Sequence, residues 1–281
     1  MPKPLVTISI PTYNSELFLA DCLNAIREQT YKNIEINIVD GNSKDKTTQI
    51  AKAFGVKTLI YPGALLGARY EGLKVAKGEY ILLLDSDQIL APDTIERAVA
   101  FIESQHADML IFEEDVFKQD KFLEKLFHYD RKLINSIKDL SPYTGVMLPR
   151  FYKVKILKKA FANILPDILK SVGGQDHAII YLEAWNQTNR VNILLNAVKH
   201  IEPSSINILL KKFYRWGYTS VGARSNKYSK MLSKKERFRK GLFRRGLYTA
   251  SIASIFLLIL KGVPYKIGYY HAKLKSYKYG K

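Results

Sequence analysis

The sequence contains almost no cysteine: Cys22 is the only one among 281 residues. A chain with one thiol cannot form an internal disulfide, which excludes disulfide-stabilised small secreted domains and favours a reducing compartment. Cys22 lies at helical spacing from Phe18, Leu19 and Ile26, so we expect it to be a small core residue.

Acidic residues are nearly absent from the last quarter of the chain. Residues 211–281 contain 19 Lys and Arg but one acid, Glu236, whereas residues 1–210 contain 25 residues of each sign. The formal net charge of +18 therefore comes entirely from the C-terminal part. Such a segment indicates an anionic partner, which is a phospholipid surface, a nucleic acid or a phosphorylated substrate.

Long hydrophobic runs are also scarce. The N-terminus enters a strand almost at once, so we expect no signal peptide. Residues 246–260 carry no charge, but a bilayer span needs about 20 residues, and reaching that length includes Lys261, which can snorkel. Basic and aromatic residues flank this stretch, as is typical of a membrane interface. We predict one hydrophobic membrane helix at about residues 242–265, with a buried core helix as the alternative.

Apolar strands alternate with helical patterns over the first hundred residues. The predicted strands are VTISIPT, IEINIVD, VKTLIYP and EYILLLDSDQIL. This order favours an α/β fold with a mostly parallel sheet, helices on both faces and ligands at the carboxyl ends of the strands. We expect a catalytic domain over residues 1–210 and basic amphipathic interface helices, with the membrane helix, over residues 211–281.

The middle of the chain is less regular. It contains a predicted strand in ADMLIFEEDVF, a long amphipathic helix in KFLEKLFHYDRKLINSIKDL, a strand and a turn in GVMLPRFYKVKIL, and a Gly-Gly loop that enters a helix in GGQDHAIIYLEAWNQ.

Two aspartates one residue apart, Asp85 and Asp87, end the most apolar predicted strand. In an extended segment their side chains point the same way. Burying two neighbouring carboxylates at the end of a strand costs free energy, unless a cation or polar ligand groups neutralise or bind them. We therefore predict a metal or ligand site here, since oxygen ligands suit divalent cations. A surface turn and a helix cap are the alternatives.

The segments ISIPTYN, IVDGNSKD, GARYEGLKVAKGEYILLLDSD and GGQDHA occur in the order seen in family 2 glycosyltransferases of the GT-A fold. The chain resembles that family over roughly residues 5–220. The resemblance implies that two loops hold the nucleoside of a nucleotide-sugar donor, through Pro11, Thr12, Tyr13, Asn14, Glu16, Asp40 and Gly41. It also implies that Asp85, Ser86 and Asp87 hold the ribose and a Mg²⁺ or Mn²⁺ on the diphosphate, with Asp87 as the main metal ligand.

Two further side chains suit glycosyl transfer. We predict that Arg69 contacts the departing diphosphate through two parallel hydrogen bonds. The alternative is that Arg69 is a solvated arginine on a helix. Asp176 is the predicted catalytic base, which removes the acceptor proton during inversion. An N-cap role is the alternative for Asp176. The family usually has Glu-Asp or Thr-Glu-Asp here, whereas this chain has Gln175 before the aspartate.

The segment KKFYRWG resembles the Gln-x-x-Arg-Trp element of cellulose-synthase-like enzymes, with Lys212 in place of the glutamine. The match implies that Arg215 reaches the diphosphate and that Trp216 stacks on a sugar ring. An amphipathic interface helix with aromatic anchors is the alternative, and the two are compatible.

These features together predict a membrane-associated, inverting glycosyltransferase at the cytoplasmic face, with an anionic membrane surface and a lipid-linked acceptor as partners. The resemblance extends to archaeal membrane mannosyltransferases, which implies GDP-mannose as donor and N-glycan precursor assembly as the role.

Two other functions compete with this interpretation. A nucleic-acid-binding protein would use the basic tail, but it leaves Asp85 and Asp87 unexplained, so we expect no nucleic-acid partner. A sugar nucleotidyltransferase would need a Gly-rich loop with Arg and Lys after the first strand, and PTYNSE has none.

Overall fold

The computed structural model describes residues 2–203, 205–221, 227–230 and 242–279. The strands in these residues are β1 (Val6–Thr12), β2 (Ile34–Asp40), β3 (Lys57–Ile60), β4 (Tyr80–Leu83), β5 (Gln88–Leu90), β6 (Met109–Val116), β7 (Pro149–Lys153) and β8 (Val191–His200). They form one sheet in the order β3-β2-β1-β4-β7-β6-β8-β5. Strands β3, β2, β1 and β4 are parallel, whereas β7 pairs antiparallel with both β4 and β6.

Helices cover both faces of this sheet, which confirms the predicted α/β class. They are α1 (Leu19–Arg27), α2 (Thr47–Ala53), α3 (Leu65–Lys74), α4 (Thr94–Ser104), α5 (Phe122–Asn135), α6 (Val154–Ala162), α7 (Pro166–Ser171), α8 (Asp176–Trp185), α9 (Ile206–Tyr218) and α10 (Tyr248–Tyr279). A short 3₁₀ helix spans Pro142–Thr144.

Strand β4 lies inside the sheet and is buried on both faces. Tyr80 and Leu82 belong to the core that contains Cys22 and α4, whereas Ile81 and Leu83 belong to the core formed with α3, α6 and α8. This alternation explains the unbroken apolar run, because each face of an inner strand in an α/β sheet packs against a helix layer. Cys22 is fully buried, as predicted.

Three sequence predictions differ from the structure. The segment EYILLLDSDQIL forms two strands, since the chain turns after β4 and β5 pairs antiparallel with β8. The segment KVKIL, predicted as a strand and a turn, enters helix α6, whose buried side chains Leu157 and Phe161 follow Val154 at helical spacing. Strand β8 was not predicted.

In the C-terminal part, the bounds of the helices are not those of the predicted segments. The predicted division between residues 210 and 211 falls inside α9. The predicted membrane helix at about 242–265 corresponds to α10, which begins later and continues to Tyr279. By length and composition α10 is long and apolar enough to cross a membrane. The predicted interface helices include residues 231–241, which lie outside the described residues.

Candidate active site

The carboxyl ends of β1, β2 and β4 lie side by side, and the predicted site residues follow them. Asp40, which ends β2, is fully buried. Its carboxylate accepts hydrogen bonds from the Thr12 hydroxyl at 2.8 Å, the Ser43 backbone N–H at 2.7 Å and the Ser43 hydroxyl at 2.6 Å. These bonds fix the two loops relative to each other.

The loop after β1 is held by the loop after β2. The backbone N–H of Asn14, a residue with a positive φ of 50°, donates to the Ser43 hydroxyl at 2.8 Å. Glu16 accepts from the backbone N–H of Lys46 at 3.1 Å. Gly41 donates its N–H to the Thr12 carbonyl at 2.8 Å, and a Cβ there would come within 3.1 Å of the Tyr13 ring. Pro11 pairs with Val39 inside the sheet.

Asp85 follows β4 and is held by two arginines. Arg69 of α3 donates to one carboxylate oxygen at 2.5 Å, and Arg150 of β7 donates to the other at 2.8 Å. Burial raises the pKa of Asp85, but the charges of Arg150 and Arg69 outweigh it and hold that pKa well below its usual range. Asp85 is therefore an ionised carboxylate with both oxygens engaged.

Asp176 is the first residue of α8, and its Oδ2 accepts from Nε of the same Arg69. The ring Nε2 of His177 lies 3.8 Å from that oxygen. Arg69 is only 1% exposed, so it is not a solvated helix arginine. The N-cap of α8 is Gln175, and no side chain caps the helix, so Asp176 is not an N-cap.

A line of alternating charges continues beyond Asp85. Arg150 also donates to Glu114 of β6 at 3.2 Å, and Glu114 accepts from Arg131 of α5. Arg131 contacts Glu202 at 3.0 Å, and the His200 ring lies 3.4 Å from Glu202. Burial raises the pKa of Glu114, but Arg131 and Arg150 together lower it to about 2.

The same line ends at Asp87. One carboxylate oxygen of Asp87 lies 3.4 Å from the His200 ring, and the other lies 3.4 Å from Nζ of Lys212 on α9. Both contacts are longer than a direct charge-assisted hydrogen bond. The intervening Ser86 hydroxyl donates to the Ser15 hydroxyl at 2.9 Å, which ties the turn to the loop after β1. Asp87 is thus the less tightly held of the two aspartates.

Helix α9 lies over the aspartate turn that contains Asp85 and Asp87. The Lys212 ammonium lies 5.3 Å from the Trp216 ring centre, and the Arg215 guanidinium lies 5.9 Å from that of Tyr13. Trp216 packs on the loop before Asp176 so closely that a Cβ on Gly174 would meet its ring at 2.8 Å. The structure therefore brings α9 over both the aspartate turn and the predicted base.

A family model described as glycosyl transferase family 2 matches residues 7–161, which is more than half of the chain. The chain belongs to glycosyl transferase family 2.

Two relatives illustrate the range of this glycosyltransferase family. GlyG of Streptococcus pneumoniae is 37% identical over 114 residues, which cover 38% of this chain and 38% of GlyG. The poly(ribitol-phosphate) beta-N-acetylglucosaminyltransferase TarS of Staphylococcus aureus is 26% identical over 197 residues, which cover 67% of this chain and 34% of TarS. The chain thus matches little more than a third of the length of either relative.

Two solved structures share the fold of this chain. TarS residues 1–349 of S. aureus in complex with UDP-GlcNAc gives a TM-score of 0.59 at 17% identity, over 99% of this chain and 92% of that one. The mannosyltransferase PcManGT of Pyrobaculum calidifontis in complex with GDP-Man and Mn²⁺ gives a TM-score of 0.57 at 16% identity, over 99% of this chain and 88% of that one. At these identities the likeness shows the GT-A fold alone.

Much of the charged network around the aspartate turn could not be predicted from the sequence. Its unpredicted members are Glu114, Arg131, Arg150, His200 and Glu202. Each lies outside the aspartate turn in the chain, and no local spacing links them. The available signal was the run of acids Glu113, Glu114 and Asp115 in strand β6, together with an arginine in strand β7, Arg150.

Proposed function

We propose that the chain is an inverting hexosyltransferase that moves mannose from GDP-mannose to a lipid-linked acceptor at the cytoplasmic face of a membrane. The acceptor is a polyprenyl phosphate or a lipid-linked oligosaccharide, as in the assembly of an N-glycan precursor. The observation that carries the proposal is the pairing of Arg69 with both Asp176 and Asp85. This pairing holds the predicted base beside the predicted donor site.

Asp176 acts as the general base. Its Oδ2 is bound by Arg69, and no hydrogen bond to Oδ1 is present among the described residues, so Oδ1 is the atom that accepts the proton of the acceptor hydroxyl. The hydroxyl oxygen then forms a bond to the anomeric carbon while the bond to the diphosphate breaks on the opposite face. The proton ends on Asp176 and the electron pair on the diphosphate.

The donor diphosphate lies between the aspartate turn and α9. Two cations of that helix lie nearby: Lys212 is 3.4 Å from Asp87 in the turn, and Arg215 is 5.9 Å from the Tyr13 ring centre in the loop after β1. The nucleoside lies against Tyr13 and the loop that Asp40 holds in place. Arg69, for which the sequence predicts a diphosphate contact, also orients Asp176 and Asp85 through its ion pairs.

Mg²⁺ or Mn²⁺ fits Asp87 better than Asp85. Among the described residues there is no cluster of three or more His, Cys, Asp or Glu that suits a metal. Mg²⁺ commonly binds one or two carboxylates together with substrate phosphates, so a single available carboxylate is sufficient. The cation nearest to Asp87 lies 3.4 Å away, whereas both oxygens of Asp85 are bound by arginines at 2.5 and 2.8 Å. The bound cation would supply Lewis-acid stabilisation of the departing diphosphate.

The lipid-linked acceptor is proposed from the C-terminal part of the chain. Residues 211–281 hold all of the net positive charge, and α10 has the length and apolar composition of a membrane segment. Each lysine or arginine near an anionic leaflet contributes about 1 kcal/mol to its attraction.

A donor screen tests the proposal. Binding of GDP-mannose, UDP-GlcNAc and a dTDP-sugar is measured by calorimetry with Mn²⁺, with Mg²⁺ and with EDTA. We expect GDP-mannose to bind most tightly with a divalent cation, and Asp87→Ala to remove the effect of the cation. Tightest binding of UDP-GlcNAc, the ligand in the TarS complex, would refute the choice of GDP-mannose, and no binding of any nucleotide-sugar would refute the proposal.

A further inference from the structure

Helix α10 has one face packed against the catalytic part of the chain. Ala253 and Leu257 are buried with Leu209 of α9 in a core that also contains side chains of α5. Further along the same face, Lys261 lies 3.5 Å from Asp130 of α5. This face is therefore occupied by protein over several turns.

Two glycines fix the crossing of α10 with α9. A Cβ on Gly268 would lie 2.0 Å from the Tyr214 carbonyl oxygen, and a Cβ on Gly217 would lie 1.9 Å from that of Tyr265. The two backbones touch at these points, so α10 cannot pull away from α9 without losing a tightly packed contact. The packed face thus runs from Ala253 to Gly268, which is about 22 Å at 1.5 Å per residue.

The opposite face of α10 is an exposed apolar stripe. It consists of Ile252, Phe256, Ile259, Val263, Ile267, Tyr270 and Leu274. These residues recur at steps of three or four, so at 100° per residue they fall within about 80° of the helix circumference. The stripe is about 33 Å long. An apolar surface of this length and regularity marks an interaction site.

A spanning orientation conflicts with this packing. A spanning α10 would place Ala253, Leu257 and Gly268 in the bilayer, and these are the residues that pack on α5 and α9. The Lys261–Asp130 ion pair lies in the middle of the same helix. Crossing the bilayer would carry this pair, and the charged helix α5, into hydrocarbon, where charged side chains are costly.

The charge of the chain identifies what covers the stripe. The side chains of Lys266 and Lys273 are exposed on α10, and at 100° per residue they border the stripe on one side. A second copy of the chain would bring a second net charge of +18 to the same interface. An anionic lipid surface instead offers the opposite charge and an apolar layer a few ångströms below it.

We propose that α10 lies in the plane of an anionic lipid surface, with the stripe of seven apolar side chains in the headgroup–acyl boundary and with α9 and the catalytic cleft above it. The inference rests on the membrane association in the proposed function and specifies its geometry. It makes the protein monotopic rather than spanning.

Depth measurements on the full chain test this geometry. Ile252→Cys, Val263→Cys and Leu274→Cys are each spin-labelled, since native Cys22 is fully buried and will not compete for the reagent. Their depths are measured on vesicles of phosphatidylglycerol and phosphatidylcholine. We expect all three labels at the same shallow depth. A deep label at position 263 with shallow labels at the other two positions would show a spanning helix and overturn the proposal.

Vesicle co-sedimentation without any nucleotide tests the stripe itself. Val263→Glu should reduce binding to the anionic vesicles at least about tenfold, because a buried valine contributes about 1.5 kcal/mol or more and the added charge opposes burial. Ser276→Glu, which adds the same charge at an exposed position off the stripe, should reduce binding far less. Equal losses in both variants would overturn the role of the stripe.

Two further outcomes are decisive. A dimer in lipid-free solution that Val263→Glu dissociates would show that a second copy covers the stripe, which overturns the proposal. Donor binding in solution is measured on the same variants and should be unchanged. If the parent chain binds a nucleotide-sugar but does not bind the vesicles, only the lipid geometry is refuted. If the parent chain binds no nucleotide-sugar, the proposed function is refuted.

Discussion

Asp85 and Asp176 share one guanidinium: Arg69 donates Nη2 to the first and Nε to the second. The arginine is almost fully buried, so its fork of donors has a fixed direction. Removing one partner from a buried ion pair costs about 3–5 kcal/mol, because the remaining charge is left uncompensated. Arg69 therefore links the residue proposed as the base to the aspartate turn proposed for the donor.

Replacing Asp176 by asparagine should lower the rate of sugar transfer by at least about 10²-fold, since an amide cannot accept the proton of the acceptor hydroxyl. The asparagine oxygen still accepts from Arg69, so nucleotide binding should stay close to that of the parent chain. Steady-state kinetics and calorimetry measure the two effects. Asp21→Asn, on the exposed face of α1, is the matched control, and turnover retained in Asp176→Asn would exclude the proposed base.

Glu114 should make stability depend on pH. Its pKa is about 2 in the folded chain and about 4.3 in an unfolded one. A carboxylate with a lowered folded pKa stabilises the fold above the unfolded pKa, and this contribution is lost as pH falls from about 4.3 towards 2. Urea unfolding at a series of pH values should show a flatter profile in this window for Glu114→Gln than for the parent chain.

The matched control for that experiment is Glu28→Gln, because Glu28 is exposed at the end of α1. Its profile should follow the parent chain throughout. If Glu114→Gln followed the parent chain as well, the ion pairs of Glu114 with Arg131 and Arg150 would not stabilise the fold.

Lys212 should compete with a divalent cation for Asp87. Its ammonium lies 3.4 Å from the carboxylate, and a partly exposed pair of this kind is worth about 0.2–1 kcal/mol. Lys212→Gln should therefore tighten Mn²⁺ binding in the absence of nucleotide by up to about fivefold. Titration followed by electron paramagnetic resonance measures this affinity. Lys211→Gln, at the exposed neighbouring position, removes the same charge and should have a smaller effect. Weaker Mn²⁺ binding in Lys212→Gln would contradict the competition.

Gly268→Ala should destabilise the protein by about 1–3 kcal/mol, because the added methyl meets the Tyr214 carbonyl oxygen and forces α9 and α10 apart. Gly262→Ala is a control in the same helix, since no atom lies within 4 Å of its Cβ position. That variant should be neutral or up to about 1 kcal/mol more stable, as alanine favours a helix interior. Equal unfolding free energies for the two variants would show that the crossing is loosely packed.

The first half of the fold could be predicted from local pattern alone. Strands β1 to β4 and helices α1 to α5 carry clear apolar periodicity, and polar residues follow the strands at the ligand edge. Helix α6 was predicted as a strand and a turn, although Val154, Leu157 and Phe161 have helical spacing. In that segment the preceding strand β7 continues directly into the helix, so no turn residue separates the two patterns.

The candidate site could be predicted only where its acids stand out in the local sequence. Asp85, Asp87 and Asp176 stand out because carboxylates adjoin apolar runs or glycines. Arg150, which pairs with Asp85, and Arg131, which joins the network through Glu114, come from other elements. The sequence contains no signal that an arginine in β7 will face Asp85. Long-range pairing of charges depends on sheet order, and β7 enters between β4 and β6.

The line of ion pairs from Asp176 to Lys212 has a consequence for the proposed function. Each arginine in this line, and Lys212 at its end, already faces a carboxylate, so a donor diphosphate that binds Lys212 would displace the ammonium from Asp87. Departure of the diphosphate would return Lys212 to Asp87. Under the proposed function, binding and release of the donor are then an exchange of counterions at Lys212, in which Asp87 regains the cation that the product leaves behind.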